Sequence, residues 1–275
     1  MRTQPLAPPA ILLALFSACS ATQKTAEQRI IVSPYFAGYR LGGKLGMADS
    51  QPSGTPTNGQ QPMRELGQDR YEEDYGFRAD FGNGAAGLRA EWLKLSMHPT
   101  DTGVLSDDFG AIPAGSTVNS DVTLEEFRIG YLHEVWTGSG GPENFLLDLQ
   151  LAAGGLLSHV STEIDVRETT GSAQQNVSLK DRGILYPALH LRASHQAVAL
   201  DLEYALSPNL TFGGDYDGWL QDIEARITYT VPFQDVGLFA GYRFATLPVD
   251  SSENGLAVNG DLRIDGIQLG IIISF

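Results

Sequence analysis

Apolar and polar residues alternate along most of this chain. From Leu262 to Phe275 every second position is large and apolar (Ile267, Leu269, Ile271, Ile273, Phe275). The positions between them are mostly small or polar (Gly266, Gln268, Gly270, Ser274), with Ile272 the exception. A period of two sends successive side chains to opposite faces, so the segment predicts a β-strand with one oily face and one mild face. The same period recurs over 29–42, 74–82, 85–96, 122–136, 145–160, 182–194, 197–207, 218–231 and 236–248, giving ten strands with 262–275. In 218–231, Trp219, Ile223, Ala225, Ile227 and Tyr229 oppose Asp222, Glu224, Arg226 and Thr228. In 197–207, Val198, Leu200, Leu202, Tyr204 and Leu206 oppose Ala199, Asp201, Glu203 and Ala205. In 122–136, Phe127, Ile129, Tyr131 and Val135 oppose Glu126, Arg128, Gly130 and Glu134.

The connections fall into two classes that alternate strictly. Short turns lie at 82–84, 137–144, 194–196 and 231–235, where Gly, Asn and Pro supply turn geometry. Long polar connections lie at 43–73, 97–121, 161–181, 208–217 and 249–261. An even number of strands brings both ends of the sheet to the short-turn side. Loop 43–73, rich in Gly, Pro, Gln and Ser, reads as mobile. Pro187 removes a ladder donor and predicts a bulge at its position. Aromatic residues gather near strand ends (Tyr39, Trp92, Trp136, Trp219, Tyr229, Phe275), the arrangement of an interfacial girdle.

Composition sharpens this picture. A soluble sandwich would put Lys, Thr and Ser on its polar faces. Here those faces carry Arg, Asp, Glu and Gly, and the whole chain has 14 Arg against 4 Lys. Arg pairs bidentately with carboxylates and is weakly hydrated, so it suits enclosed ion pairs. The inward set is Arg40, Arg78, Arg89, Arg128, Arg192, Arg226 and Arg243 with Asp80, Glu91, Glu126, Glu134, Asp148, Asp201, Glu203, Asp222, Glu224 and His190. The signs nearly balance, and a barrel of about ten strands has little more interior than its side chains fill. The reading is all-β: a closed antiparallel up-and-down barrel with a salt-bridged lumen. The alternative for the same residues is a narrow charged pore.

The net charge of −15 argues against a nucleic-acid partner. No cofactor fingerprint, phosphate loop or nucleophile elbow occurs, and the five histidines have no metal-ligand spacing. The long loops are acidic, through Asp101, Asp107, Asp108, Asp121, Glu163, Asp165, Glu168, Asp250, Glu253 and Asp261. Such runs are ordinarily a solvated fringe. Asp215 and Asp217, in Asp215-Tyr216-Asp217-Gly218, are the candidates for a divalent cation, without the full loop pattern.

The alternating strands, the loop asymmetry and the aromatic Phe275 resemble small bacterial outer-membrane barrels, the kind that includes the OmpA transmembrane domain and Opa-like surface proteins. That resemblance implies outer-membrane lipid as a partner and recognition of the closing strand by the barrel-assembly machinery. It also implies periplasmic ends and a non-enzymatic structural or surface-interaction role, with the external partner unknown. Omptin proteases are ten-stranded barrels with paired aspartates and an Asp–His couple at the outer rim. Asp107-Asp108 and His159 invite that comparison, and Ser158-His159 a weaker one with lipid A deacylases; no Asp-x-His is present. Residues 1–19 read as an export signal, with Arg2 followed by a short apolar core from Ala10 to Ala18. Phe16-Ser17-Ala18-Cys19 resembles a lipobox, which implies acylation of Cys19; ordinary cleavage near the same site is the alternative. A soluble periplasmic β-rich lipoprotein is the alternative to the membrane barrel. Residues 20–28 then form a tether and 29–275 the barrel.

Overall fold

The computed structural model describes residues 29–49, 59–68, 70–99, 101–141, 146–208, 211–212, 219–253 and 256–275. Ten long strands carry it: β1 (Arg29–Asp49), β2 (Tyr71–Gly82), β3 (Gly87–Met97), β4 (Thr117–Gly140), β5 (Leu147–Glu168), β6 (Gln174–His195), β7 (Val198–Pro208), β8 (Trp219–Thr230), β9 (Val236–Glu253) and β10 (Leu256–Ser274). Each pairs antiparallel with its neighbours in sequence, and β1 pairs with β10 from Ile31↔Ser274 to Asp49↔Leu256. The ring of ladders is therefore closed, which leaves no free edge through the wall. Three two-residue pieces, Gln61–Pro62, Gly103–Val104 and Thr211–Phe212, add to the rims of β1, β4 and β6.

Period two holds in the wall. In β8, Asp222, Glu224, Arg226 and Thr228 are buried while Ile227 and Tyr229 are exposed. In β7, Ala199, Asp201, Glu203 and Ala205 are buried and Val198, Leu200, Leu202 and Tyr204 exposed. The outer surface is accordingly a band of Leu, Ile, Val, Phe and Tyr. Trp136, Tyr229 and Phe275 lie exposed toward the short-turn end, and Tyr71 and Tyr75 toward the other. The short turns are built as their residues require. Asn83 Oδ1 accepts from the amides of Ala85 and Ala86, at 3.2 and 2.8 Å, and Gly84 supplies a φ of +88°.

Several expectations are corrected. The strands run further toward the long-loop end than the alternation alone marks. Most of 161–181 is ladder between β5 and β6, and most of 249–261 is ladder between β9 and β10. The reason is visible in β5, where Val160, Thr162, Ile164 and Val166 all point inward and are buried, so the period continues beneath a polar composition. The bulges sit at Glu134/Trp136 and Val160/Thr162 rather than at Pro187. Pro187 stays in register with Gly155, just beyond Ala188↔Ala205, where the β6–β7 ladder stops. Tyr39 is inside and fully buried, not in the girdle.

Loop 43–73 also differs from its reading as mobile. Residues 59–68 fold back over the long-loop mouth: Gln61 and Pro62 pair with β1, and Met63–Leu66 form a 3-10 turn closed by Gly67 at φ +86°. Met63 and Leu66 are buried, as are Leu105, Phe109 and Ile112 of the next long loop. They join inward-facing Leu45, Met47, Leu95, Met97, Val122, Ile164 and Leu262 in one apolar core. Gln61, fully buried, ties the two loops together: its amide donates to Asp107 O at 2.5 Å and accepts from Ser106 N at 3.0 Å. From the long-loop end inward, the barrel thus holds an apolar cap, an ionic layer, and an open vestibule at the short-turn end.

Candidate functional site

The ionic layer is built by strands on opposite sides of the barrel. Arg243 on β9 reaches Glu126 on β4 at 2.6 Å and Asp222 on β8 at 2.6 Å. Arg128 on β4 donates to Glu126 at 2.9 Å and crosses to Asp222 as well. Arg78 on β2 links Asp80 at 3.1 Å with Glu224 on β8 at 3.0 Å. Arg89 on β3 links Asp80 at 2.6 Å with Glu203 on β7. Each guanidinium is a chord across the lumen. Arg128 and Arg243 are each 1% exposed, which places them among the most enclosed side chains of the protein.

Burial of this depth makes pairing obligatory, because an ion stripped of water costs several kcal/mol unless its partners replace the lost hydration. Neutral donors add to the replacement. Ser158 Oγ donates to Glu126 at 2.6 Å, and Tyr35 donates its hydroxyl hydrogen to Glu91 at 2.8 Å. At the edge of the layer, Asp201 takes His190 at 3.0 Å and Arg192 at 3.1 Å. Aromatic rings fill the remaining space. Tyr35 and Phe239 meet edge to face at 6.1 Å between centroids, and Arg226 lies over Phe239 at 5.1 Å. Glycines opposite make room: a Cβ on Gly76 would stand 2.3 Å from the Tyr35 ring, and one on Gly270 would stand 2.5 Å from Phe239.

Not every expected member joins the layer. Arg40 points outward and pairs with Asp265 at 3.2 Å on the outer wall. Over 33–41 the inner face of β1 is Ser33, Tyr35, Ala37, Tyr39 and Leu41, so this stretch carries its charge, Arg40, on the outside, against the pattern of its neighbours. Asp265 is screened there by Arg263 at 3.6 Å and by the hydroxyls of Tyr71 and Tyr242, at 3.5 and 3.4 Å. Glu134 accepts from Asn83 Nδ2 at 2.9 Å at the short-turn end, and Asp148 is exposed at that same end. Both stand apart from the ionic layer. Tyr35, Tyr39, Phe239, Gln268 and Ser158 belong to the interior and are absent from the sequence-derived set; parity along β1, β5, β9 and β10 is the signal that finds them.

At the rim, Asp107 and Asp108 hold turns: they accept from the amides of Gly59 at 2.9 Å and Ala114 at 2.8 Å. Ser158 and His159 lie on opposite faces of β5, the serine buried in the lumen and the histidine exposed outside, so they do not form a pair. Ile267, Leu269, Ile271 and Phe275 are exposed on the outer wall and Ile273 half-buried. Cys19, Asp215, Asp217, the export signal 1–19 and the tether 20–28 lie outside the described residues.

Ten antiparallel strands, short turns at one end and long loops at the other, an apolar outer band and a polar lumen occur together here. This is the architecture of an outer-membrane β-barrel. Comparisons with protein-family models and with curated proteins find no match. Among solved structures, the outer membrane protease OmpT from Escherichia coli is similar at 11% identity, with 92% of this chain and 100% of that chain covered and a TM-score of 0.49. Ail, the attachment invasion locus protein of Yersinia pestis, is similar at 9% identity over 88% of this chain and 99% of that one, TM-score 0.30. The toluene transporter TodX of Pseudomonas putida is similar at 8% identity over 91% of each chain, TM-score 0.32. The architecture itself stands on the strand ladders and on the division of faces.

Proposed function

We propose that this protein is a non-conducting, non-enzymatic barrel of the bacterial outer membrane, and that it works by presenting its long-loop rim to the outside. The observation that carries the reading is the filled lumen. Arginine–carboxylate chords cross it from β4 to β8 and β9, from β2 to β8 and from β3 to β7, and the apolar cap lies above them. An ion entering such a lumen would have to displace charge-assisted bonds that replace the hydration of the arginines themselves. The rim is the part left free to meet a partner, and exposed Asp101, Asp107, Asp108 and Glu163 make it acidic.

In this reading the short turns and both ends of the sheet face the periplasm, the β10 strand is read by the assembly machinery, and Cys19 carries lipid in the inner leaflet beside the barrel. The test is single-channel recording of the purified protein in a planar bilayer. The expected result is no steady conductance above the bare membrane; reproducible ohmic steps would overturn the closed lumen. Heat-modifiable gel migration with mass analysis of the N-terminus tests the membrane barrel and the acylation separately.

A further inference from the structure

The vestibule at the short-turn end is not needed to close the lumen. It has a volume of about 360 Å³, in the range of small-ligand sites. Arg192 and Arg226 line it, and Asp80 is the carboxylate among its lining residues. That carboxylate is already taken by Arg78 at 3.1 Å and Arg89 at 2.6 Å. The lining is therefore short of acceptors.

Two of its groups show the shortage directly. Arg226 is 7% exposed, yet its Nε has no hydrogen-bond partner among the described residues. The one carboxylate within ion-pair reach among the described residues is Glu224 at 3.9 Å, and the Glu224 oxygen concerned already accepts from Arg78 at 3.0 Å. Ser33 is 1% exposed, and its Oγ also has no hydrogen-bond partner among the described residues. A guanidinium has five N–H donors in a planar fork, and leaving them unmet in an enclosed site is costly. Arg192 spends Nη1 on Asp201 and extends across the mouth to the first short turn, where a Cβ on Gly84 would lie 3.1 Å from that same nitrogen. Thr228, buried two residues along β8 from Arg226, adds a hydroxyl to the same lining.

We propose that this vestibule binds a small oxyanion, a phosphate or a carboxylate, held by Arg226 and Arg192 and by the hydroxyls of Ser33 and Thr228. The guanidinium fork matches both anions bidentately, and the hydroxyls supply donors at its side. The ligand enters from the short-turn end, since the ionic layer and the cap close the other side.

The test is calorimetric titration of the full-length protein in detergent with inorganic phosphate and, separately, with succinate, in chloride buffer of matched ionic strength. Saturable binding of either probe at about 1 mM or tighter is expected, and the two arms tell the tetrahedral from the planar anion. Arg226→Gln should weaken binding at least about tenfold. Should Arg226→Gln fail to fold, Thr230→Trp decides. It fills the vestibule from the exposed end of β8 without touching a buried ion, and should abolish the signal. No saturable heat with either anion, or binding retained in the variant that folds, overturns the site. Conductance tests the closed lumen independently of this outcome.

Discussion

Asp222 and Glu126 together hold the centre of the interior, because Arg128 and Arg243 both converge on each of them. Replacing Asp222 with Ala takes one of the two shared carboxylates from two enclosed guanidinium groups and leaves both on Glu126, so Asp222→Ala should cost about 3–5 kcal/mol, read as a lowered urea midpoint for unfolding from detergent or lipid. Arg40→Gln should cost about 1 kcal/mol or less in the same assay: its ion pair is 37% exposed on the arginine side, and Arg263 remains beside Asp265. The contrast separates an inward arginine from an outward one of the same sequence appearance. Gly76 makes a third case. Gly76→Val drives two methyl groups into the Tyr35 ring and should destabilise by about 1–3 kcal/mol, with partial recovery in Gly76→Val/Tyr35→Leu.

Strands were legible wherever one face is clearly oily and the other clearly ionic. β7 and β8 could be read residue by residue, and both Asp201–Arg192 and Arg78–Glu224 come from the predicted inward set. Reading failed where the inner face is not ionic. In β1 the interior positions are Ser, Tyr, Ala, Tyr and Leu, so charge pointed to Arg40 while parity pointed the other way. It failed again where ladders continue under polar composition, as in β5 beyond Val160, because a strand above the membrane belt needs no oily outer face. The cap was invisible for another reason: Met63, Leu66, Phe109 and Ile112 are scattered through Gly- and Pro-rich loops, and only tertiary contact gathers them. The outer band gives the element-scale prediction. Leu269→Arg on β10 places a charge on the oily face and should destabilise the folded barrel by about 2–4 kcal/mol if the position lies at the bilayer midplane, measured by the same unfolding midpoint.

For the whole molecule, the layered interior means that closure is redundant. Deleting residues 59–68 removes Met63 and Leu66 from the cap and leaves the chords beneath it in place. That variant should remain silent in a planar bilayer, whereas the same deletion combined with Arg128→Ala and Arg243→Ala should admit current. The seam between β1 and β10 carries a different consequence. Arg40 and Asp265, 225 positions apart, face each other across it. β1 is made before β10 and must therefore wait for it before it gains its second neighbour, and until then the sheet has two raw edges. Sequence-distant pairing of this kind is slow, and raw edges recruit other chains. A nascent or truncated chain lacking β10 is not a smaller working barrel. It is an adhesive sheet that demands an escort, and cells that make it should accumulate aggregates in proportion to the time the edges stay open.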